Sequence, residues 1–181
     1  MKNMGFGVVL LLFICAVTAF AGAKPTPVVL SAVTVSLQGV KADTTPAKLQ
    51  KGLSAIAGVT AVVVKSNTVT AKIDESKVPA SQFVQVINGQ LAKIQTDGKA
   101  TAALTVFIDA EMCKAQKKMC GGCFTEIPTV LKKVSGISGI KLDDTGKIAA
   151  VTFAKDAKVA TRVIKDALLK SSYNFIVTFS K

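Results

Sequence analysis

One strand–helix–strand–strand–helix–strand pattern occurs twice along this chain, and that repeat limits the fold more than any other feature. In the first half Val33, Val35 and Leu37 alternate with Thr34, Ser36 and Gln38, the period of a strand buried on one face. Pro46 suits a helix start, and Leu49, Leu53 and Ile56 recur on one helical face until Gly58, which accepts the left-handed backbone of a helix end. The β-branched run Val59 to Val64 predicts a second strand, and Ser66-Asn67 turns the chain into a third carrying Val69, Ala71 and Ile73. Pro79 and Ser81 open a second helix with Phe83, Val84, Ile87 and Leu91 turned inward. A short closing strand is expected at Leu91 to Gln95.

The second half runs in the same order. Leu104, Val106 and Ile108 alternate, Ile127, Val130, Leu131 and Val134 share a helical face, and Gly136 stands where Gly58 stood. Ile137, Ile140 and Leu142 predict a strand, Asp143-Asp144-Thr145-Gly146 a turn, and Ala149, Val151 and Phe153 the next strand. The Asp pair reads as hairpin chemistry in preference to a calcium site. Ala160, Val163, Ile164, Ala167 and Leu168 line a further helix, and Tyr173 to Phe179 closes the sheet. Leu53 aligns with Leu131 and Gly58 with Gly136 at one constant offset, which sets Ala42-Asp43-Thr44-Thr45 against Cys120-Gly121-Gly122-Cys123. The expected fold class is α+β: two tandem ferredoxin-like βαββαβ sandwich domains, residues 24–98 and 99–181, joined by the polar stretch Thr96 to Thr101. The first is expected to fold independently.

Residues 1–23 read as a secretory signal peptide. Lys2 is followed by the apolar run Gly7 to Phe20 and by small residues at Ala19, Ala21, Gly22 and Ala23, and the run is shorter than the ~20 residues of a spanning helix. A periplasmic or secreted protein is the expectation. Cys15 lies inside the removed segment, preceded by Ile14 where lipoprotein processing wants a small residue, so no lipid anchor is assigned. Three cysteines then remain, an odd number for an oxidising compartment, which points to a ligand or reactive role beyond simple pairing. The chain has no histidine, and this removes serine–histidine and cysteine–histidine catalysis together with every imidazole metal site. No paired carboxylates or phosphate-binding glycine loop suggest an enzyme. The net charge of +12 is spread over scattered lysines, with no tryptophan and few aromatic residues. That pattern argues against nucleic acid and allows at most peripheral contact with an anionic membrane.

Cys120 and Cys123 form a C-x-x-C between the first strand and first helix of the second unit. One sulfur falls in a loop and the other at a helix start, where backbone N–H groups and the helix dipole favour a thiolate. Gly121 and Gly122 let the loop turn tightly enough for both sulfurs to reach one ion, and two thiolates without imidazole select soft cations.

With C-x-x-C after the first strand of a βαββαβ unit, the chain resembles the heavy-metal-associated (HMA) domain family. That domain occurs in copper chaperones, in the amino-terminal regions of copper-pumping ATPases and in the periplasmic mercuric-ion carrier. The resemblance spans both halves of the mature chain. It implies one soft ion held between Cys120 and Cys123 and passed by sulfur exchange to a partner protein, such as a membrane metal transporter. The match has departures. Lys117-Lys118-Met119 precedes Cys120 where the family has Gly-Met-Thr or similar, and the first unit keeps Gly39-Val40-Lys41 but carries Ala42 and Thr45 at the cysteine positions. The first unit is thus expected to be a metal-free duplicate with a structural or docking role. An insertion around Ala110 to Gln116 brings in Cys113 and Met112. Cys113, Cys120 and Cys123 together suit a trigonal thiolate site, with Met112 and Met119 as weak thioether ligands or simple packing residues. Cu(I) ranks first, Hg(II) second, and zinc lower because a fourth donor is missing. Tyr173 is placed either as ordinary packing or as a shield beside the metal loop. The rival functional reading is thiol–disulfide redox work or a disulfide-stabilised interaction module. Against it, no cis-proline loop is recognisable and Pro128 falls within a helix.

Overall fold

The computed structural model describes residues 29–41 and 45–181. The segment read as a signal peptide lies outside them, as do Cys15 and Ala42. Among these residues seven strands and four helices follow in the expected order, save one expected strand after the second helix: β1 (Leu30–Gln38), α1 (Thr45–Ser54), β2 (Val59–Lys65), β3 (Thr68–Asp74), α2 (Ala80–Ile94), β4 (Thr101–Ala110), α3 (Gly121–Leu131), β5 (Ile137–Leu142), β6 (Ile148–Phe153), α4 (Thr161–Leu169) and β7 (Phe175–Thr178). Among the described residues no helix is long and apolar enough to cross a membrane.

All seven strands belong to one antiparallel sheet of order β2-β3-β1-β4-β6-β5, with β7 also on β4. The alternation read from the sequence sets its inner face: Val33, Val35, Leu104, Val106, Ala149 and Val151 are fully buried, in one core with Leu49, Leu53, Phe83, Ile87, Ile127, Leu131, Ile164 and Leu168 from the helices. Gly58 and Gly136 both take positive φ, +89° and +92°, at the ends of the α1 and α3 segments, as their matched positions require.

The second half is a complete βαββαβ unit, with strand order β7-β4-β6-β5. The first half departs from expectation at its close. No strand forms at Leu91 to Gln95. Helix α2 runs on to Ile94 with Leu91 fully buried, and the Gln95 N–H still bonds the Leu91 carbonyl at 2.7 Å. The edge of β1 where a fourth strand belongs is taken by β4, pairing Thr34–Gln38 with Thr105–Thr101. The far half of β4, Phe107–Ala110, pairs with β7 instead. β1 and β7 thus lie end to end along one side of β4, tied by the Thr34 N–H to the Phe179 carbonyl at 2.7 Å. One ten-residue strand closes the first unit and opens the second. A separate closing strand has no edge left to join.

Helix contacts strengthen this junction, since α2 packs on β4 and β6 as well as on its own half. Ser81, fully buried at the start of α2, donates from Oγ to the Ala157 carbonyl at 2.6 Å and accepts the Val159 N–H at 2.8 Å. Glu75 accepts the Thr161 N–H at 2.9 Å and the Thr161 hydroxyl at 3.1 Å. The Ala160 cap position has no side-chain acceptor of its own, so a carboxylate from the first half caps α4.

One inward expectation fails. Val163 is 47% exposed. Ile164 and Leu168, four residues apart, take the inner face of the short α4, and Val163 is turned onto its flank with Ala167. There they line an open groove with Val130 and Val134 of the α3 side.

Candidate metal centre

Three segments bring the sulfurs together. β4 ends at Ala110 and passes into a single 3-10 turn, Glu111–Cys113, which directs Cys113 into the core at 1% exposure. An exposed stretch, Lys114 to Lys118, returns the chain to Cys120 at the cap of α3. Cys120 has extended backbone there (φ −66°, ψ 160°), and its Sγ accepts the Cys123 N–H at 3.5 Å, as a capping serine oxygen would. Cys123, in the first turn of α3, is fully buried. The Cys120 N–H reaches Cys113 Sγ at 3.4 Å, and Cys113 Sγ lies 3.8 Å from Cys123 Sγ. All three sulfurs fall within 4.8 Å of one another, and all three are free thiols.

A metal at about 2.3 Å from each of three sulfurs in a trigonal plane separates them by about 4 Å. The observed spacing meets that requirement with small side-chain adjustment. The stretch from Ala110 to Gln116 thus sets a third sulfur beside the C-x-x-C, and among the described residues no carboxylate joins the group. Asp109 is engaged by Lys147 at 3.2 Å. Asp143 is consumed by its own turn, accepting from Thr145 Oγ1 at 2.7 Å and from the Ile148 N–H at 3.0 Å, which is the hairpin role expected of it.

The thiols differ in acidity. N–H donation from Cys123, followed by hydrogen bonds from the neighbouring thiols, holds Cys120 below the ordinary thiol range. Burial pushes Cys123 the other way, up to about 12, with the two neighbouring sulfurs adding to the rise. The sequence argument placed the favoured thiolate on the helix-start sulfur, whereas it is the capping residue Cys120 whose acidity is raised. Three residues further in, at Cys123, loss of water outweighs the dipole.

The methionines part company as well. Met112 is 62% exposed, whereas Met119 is buried in the core. The Met119 N–H bonds the Thr145 carbonyl at 2.8 Å, and its side chain packs with Phe124 on Gly146 of the β5–β6 turn. A Cβ built at Gly146 would come within 2.8 Å of Phe124 and 3.1 Å of Met119, so glycine there allows the turn to support the cysteine loop. Tyr173 lies over the C-x-x-C itself. A Cβ at Gly122 would stand 2.7 Å from its hydroxyl, and its ring stacks on Phe175 at 6.0 Å. Sequence reasoning offered packing and shielding as alternatives for Tyr173, and in this position the ring packs directly on the loop. Gly122 is the signal for that contact, since only a residue without a side chain admits the ring.

No described protein family matches the chain, and no curated protein matches it. Among solved structures, the water-soluble region of the P-type ATPase CopA from Bacillus subtilis is similar at 16% identity, covering 83% of this chain and 92% of that one, with a TM-score of 0.39. The N-terminal soluble domains of Bacillus subtilis CopA are similar at 18% identity, covering 84% and 97%, with a TM-score of 0.38. Both likenesses are too distant to bear on function, and the centre is defined by its own geometry.

Proposed function

We propose that this protein is an exported carrier of one soft metal ion, Cu(I) or Hg(II), held by Cys113, Cys120 and Cys123 and surrendered to a partner by sulfur exchange. The observation that carries the reading is the convergence of three free thiols within 4.8 Å, with no carboxylate or imidazole donor joining them among the described residues. Such a donor set favours soft ions over magnesium and calcium, and it leaves zinc one ligand short. Export is supported by the sequence alone: Lys2, the apolar run Gly7 to Phe20 and the small residues that follow. The partner is a protein offering thiolates of its own, such as a membrane metal transporter. The first half serves as structural support, through its hold on β4 and α4.

The test is titration of the reduced mature protein with Cu(I) in competition with a chromogenic chelator. One tightly held ion per chain, lost in Cys120→Ser and Cys123→Ser, is the expected result. A fully reduced protein that leaves all the copper with the chelator overturns the reading. A second reading has a specific observation behind it: the 3.8 Å approach of Cys113 and Cys123 sulfurs suits a disulfide after a modest rotation. Thiol–disulfide exchange would then be the activity, and a reduced protein that reduces a disulfide substrate and is itself left with a Cys113–Cys123 disulfide would favour it.

A further inference from the structure

Two of the three sulfurs belong to buried residues. Cys113 is 1% exposed and Cys123 fully buried, so charge placed on them is largely removed from water. Little positive charge is available to offset it. Lys114, Lys117 and Lys118 are exposed on the adjoining loop. Lys147 approaches the Cys113 carbonyl at 3.5 Å, but its ammonium is paired with Asp109 at 3.2 Å. The N-terminus of α3 contributes roughly half a positive charge.

The ion's own charge therefore decides which complex the pocket tolerates. With all three cysteines bound as thiolates, a monovalent ion leaves two negative charges in the core and a divalent ion leaves one. A trivalent ion leaves none. Burying net charge without a counter-ion costs more steeply than in proportion to the charge, so the neutral complex is favoured. Trivalent ions of the arsenic group are also thiophilic and take three sulfurs in a pyramid, with no need for the fourth donor that this group lacks.

We infer that the centre accepts trivalent arsenic or antimony, in the form of arsenite or antimonite, as a neutral tris-thiolate in which Cys113 is obligatory. The inference rests on the reading of the cluster as a metal-carrying site. The chemistry balances without any other reagent. Neutral arsenous acid brings three hydroxyl groups. Three As–O bonds break and three As–S bonds form, and each hydroxyl leaves as water with the proton of one thiol. Arsenic remains trivalent throughout, and no sulfur is oxidised.

The inference is tested on the reduced mature protein with arsenite as the probe, using native mass spectrometry, sulfur-to-arsenic charge-transfer absorption and X-ray absorption. The expected product has the mass of one arsenic less three hydrogens and an all-sulfur shell of three. Removing a tethered third donor forfeits its high effective concentration, so Cys113→Ser should weaken arsenite by about a hundredfold or more. Cys113→Ala is run beside it, and both are checked for native circular dichroism. If either folded variant holds arsenite as tightly as the parent, the tris-thiolate is overturned. A parent protein that retains Cu(I) but not arsenite overturns the charge argument and leaves the carrier reading standing. Failure to bind either ion removes both.

Discussion

Ser81→Ala offers the sharpest test of how the two halves are joined. The serine is fully buried, and its hydroxyl serves two backbone groups of the other half, the Ala157 carbonyl at 2.6 Å and the Val159 N–H at 2.8 Å. Alanine keeps the helix and the packing but leaves both groups without their partner. An orphaned buried N–H costs about 1–3 kcal/mol, and the half-buried Ala157 carbonyl, which recovers some water, adds about 1 kcal/mol. Alanine's better helix propensity returns up to about 0.5 kcal/mol. The net loss expected is about 2–3 kcal/mol, which for a chain of this size lowers Tm by about 4–10 °C. The assay is thermal and urea unfolding of the metal-free reduced protein by far-ultraviolet circular dichroism. Gln85→Ala is the control, because its bond to the Ala154 carbonyl is exposed and should matter by less than about 0.5 kcal/mol. Both variants should keep a single transition, since β4 belongs to both halves. A Ser81→Ala loss no larger than the control's, or two separate transitions in the parent, would refute the reasoning.

Four further outcomes are expected. Alkylation of the native metal-free protein at neutral pH should label Cys120 first and Cys123 only on unfolding, as peptide mapping will report, because the thiolate is the nucleophile and acidity is raised at Cys120 but lowered at Cys123. Between the ordinary thiol range near 8.5 and about 12 the unfolded chain sheds the Cys123 proton while the folded chain keeps it; this group therefore lowers stability as pH rises through that window, and Cys123→Ala should flatten that part of the pH profile. Gly122→Ala should weaken soft-metal binding by driving the Tyr173 hydroxyl off the loop, and Tyr173→Phe in the same chain should restore part of the loss; equal affinities in all these proteins would show that the contact has no bearing on the site. A fragment of residues 24–98 lacks β4 and should fail to unfold cooperatively by circular dichroism, whereas extension through Ala110 should restore a transition; a stable shorter fragment would contradict the shared-strand account.

The sequence carried the local periods well and the long-range partners poorly. Val33, Val35 and Leu37, or Ile127 and Leu131, announce their buried faces through spacing alone, and Gly58 and Gly136 mark matched chain reversals by conformational need. At Leu91 to Gln95 the apolar residues fit a helix end and a short strand equally, and only the rival claim of β4 on the edge of β1 decides between them. Val163 shows the same limit within one helix, since a nine-residue helix has room for one inner face and Ile164 with Leu168 fills it. All three cysteines could be grouped from the sequence, the C-x-x-C pair by spacing and Cys113 by its place in the adjoining stretch, but the 3-10 turn that carries Cys113 within reach shows only in the fold. Nothing in the sequence around Glu75 signals that it caps a helix 86 residues away. The split acidity of Cys120 and Cys123 likewise depends on burial, a tertiary property.

X-ray absorption on the reduced protein loaded with one equivalent of Cu(I) addresses the central claim most directly. The account predicts a shell of three sulfurs and no nitrogen or oxygen, falling to two sulfurs in Cys113→Ser. A shell containing light donors in the parent, or two sulfurs with and without Cys113, would contradict a centre built from all three cysteines.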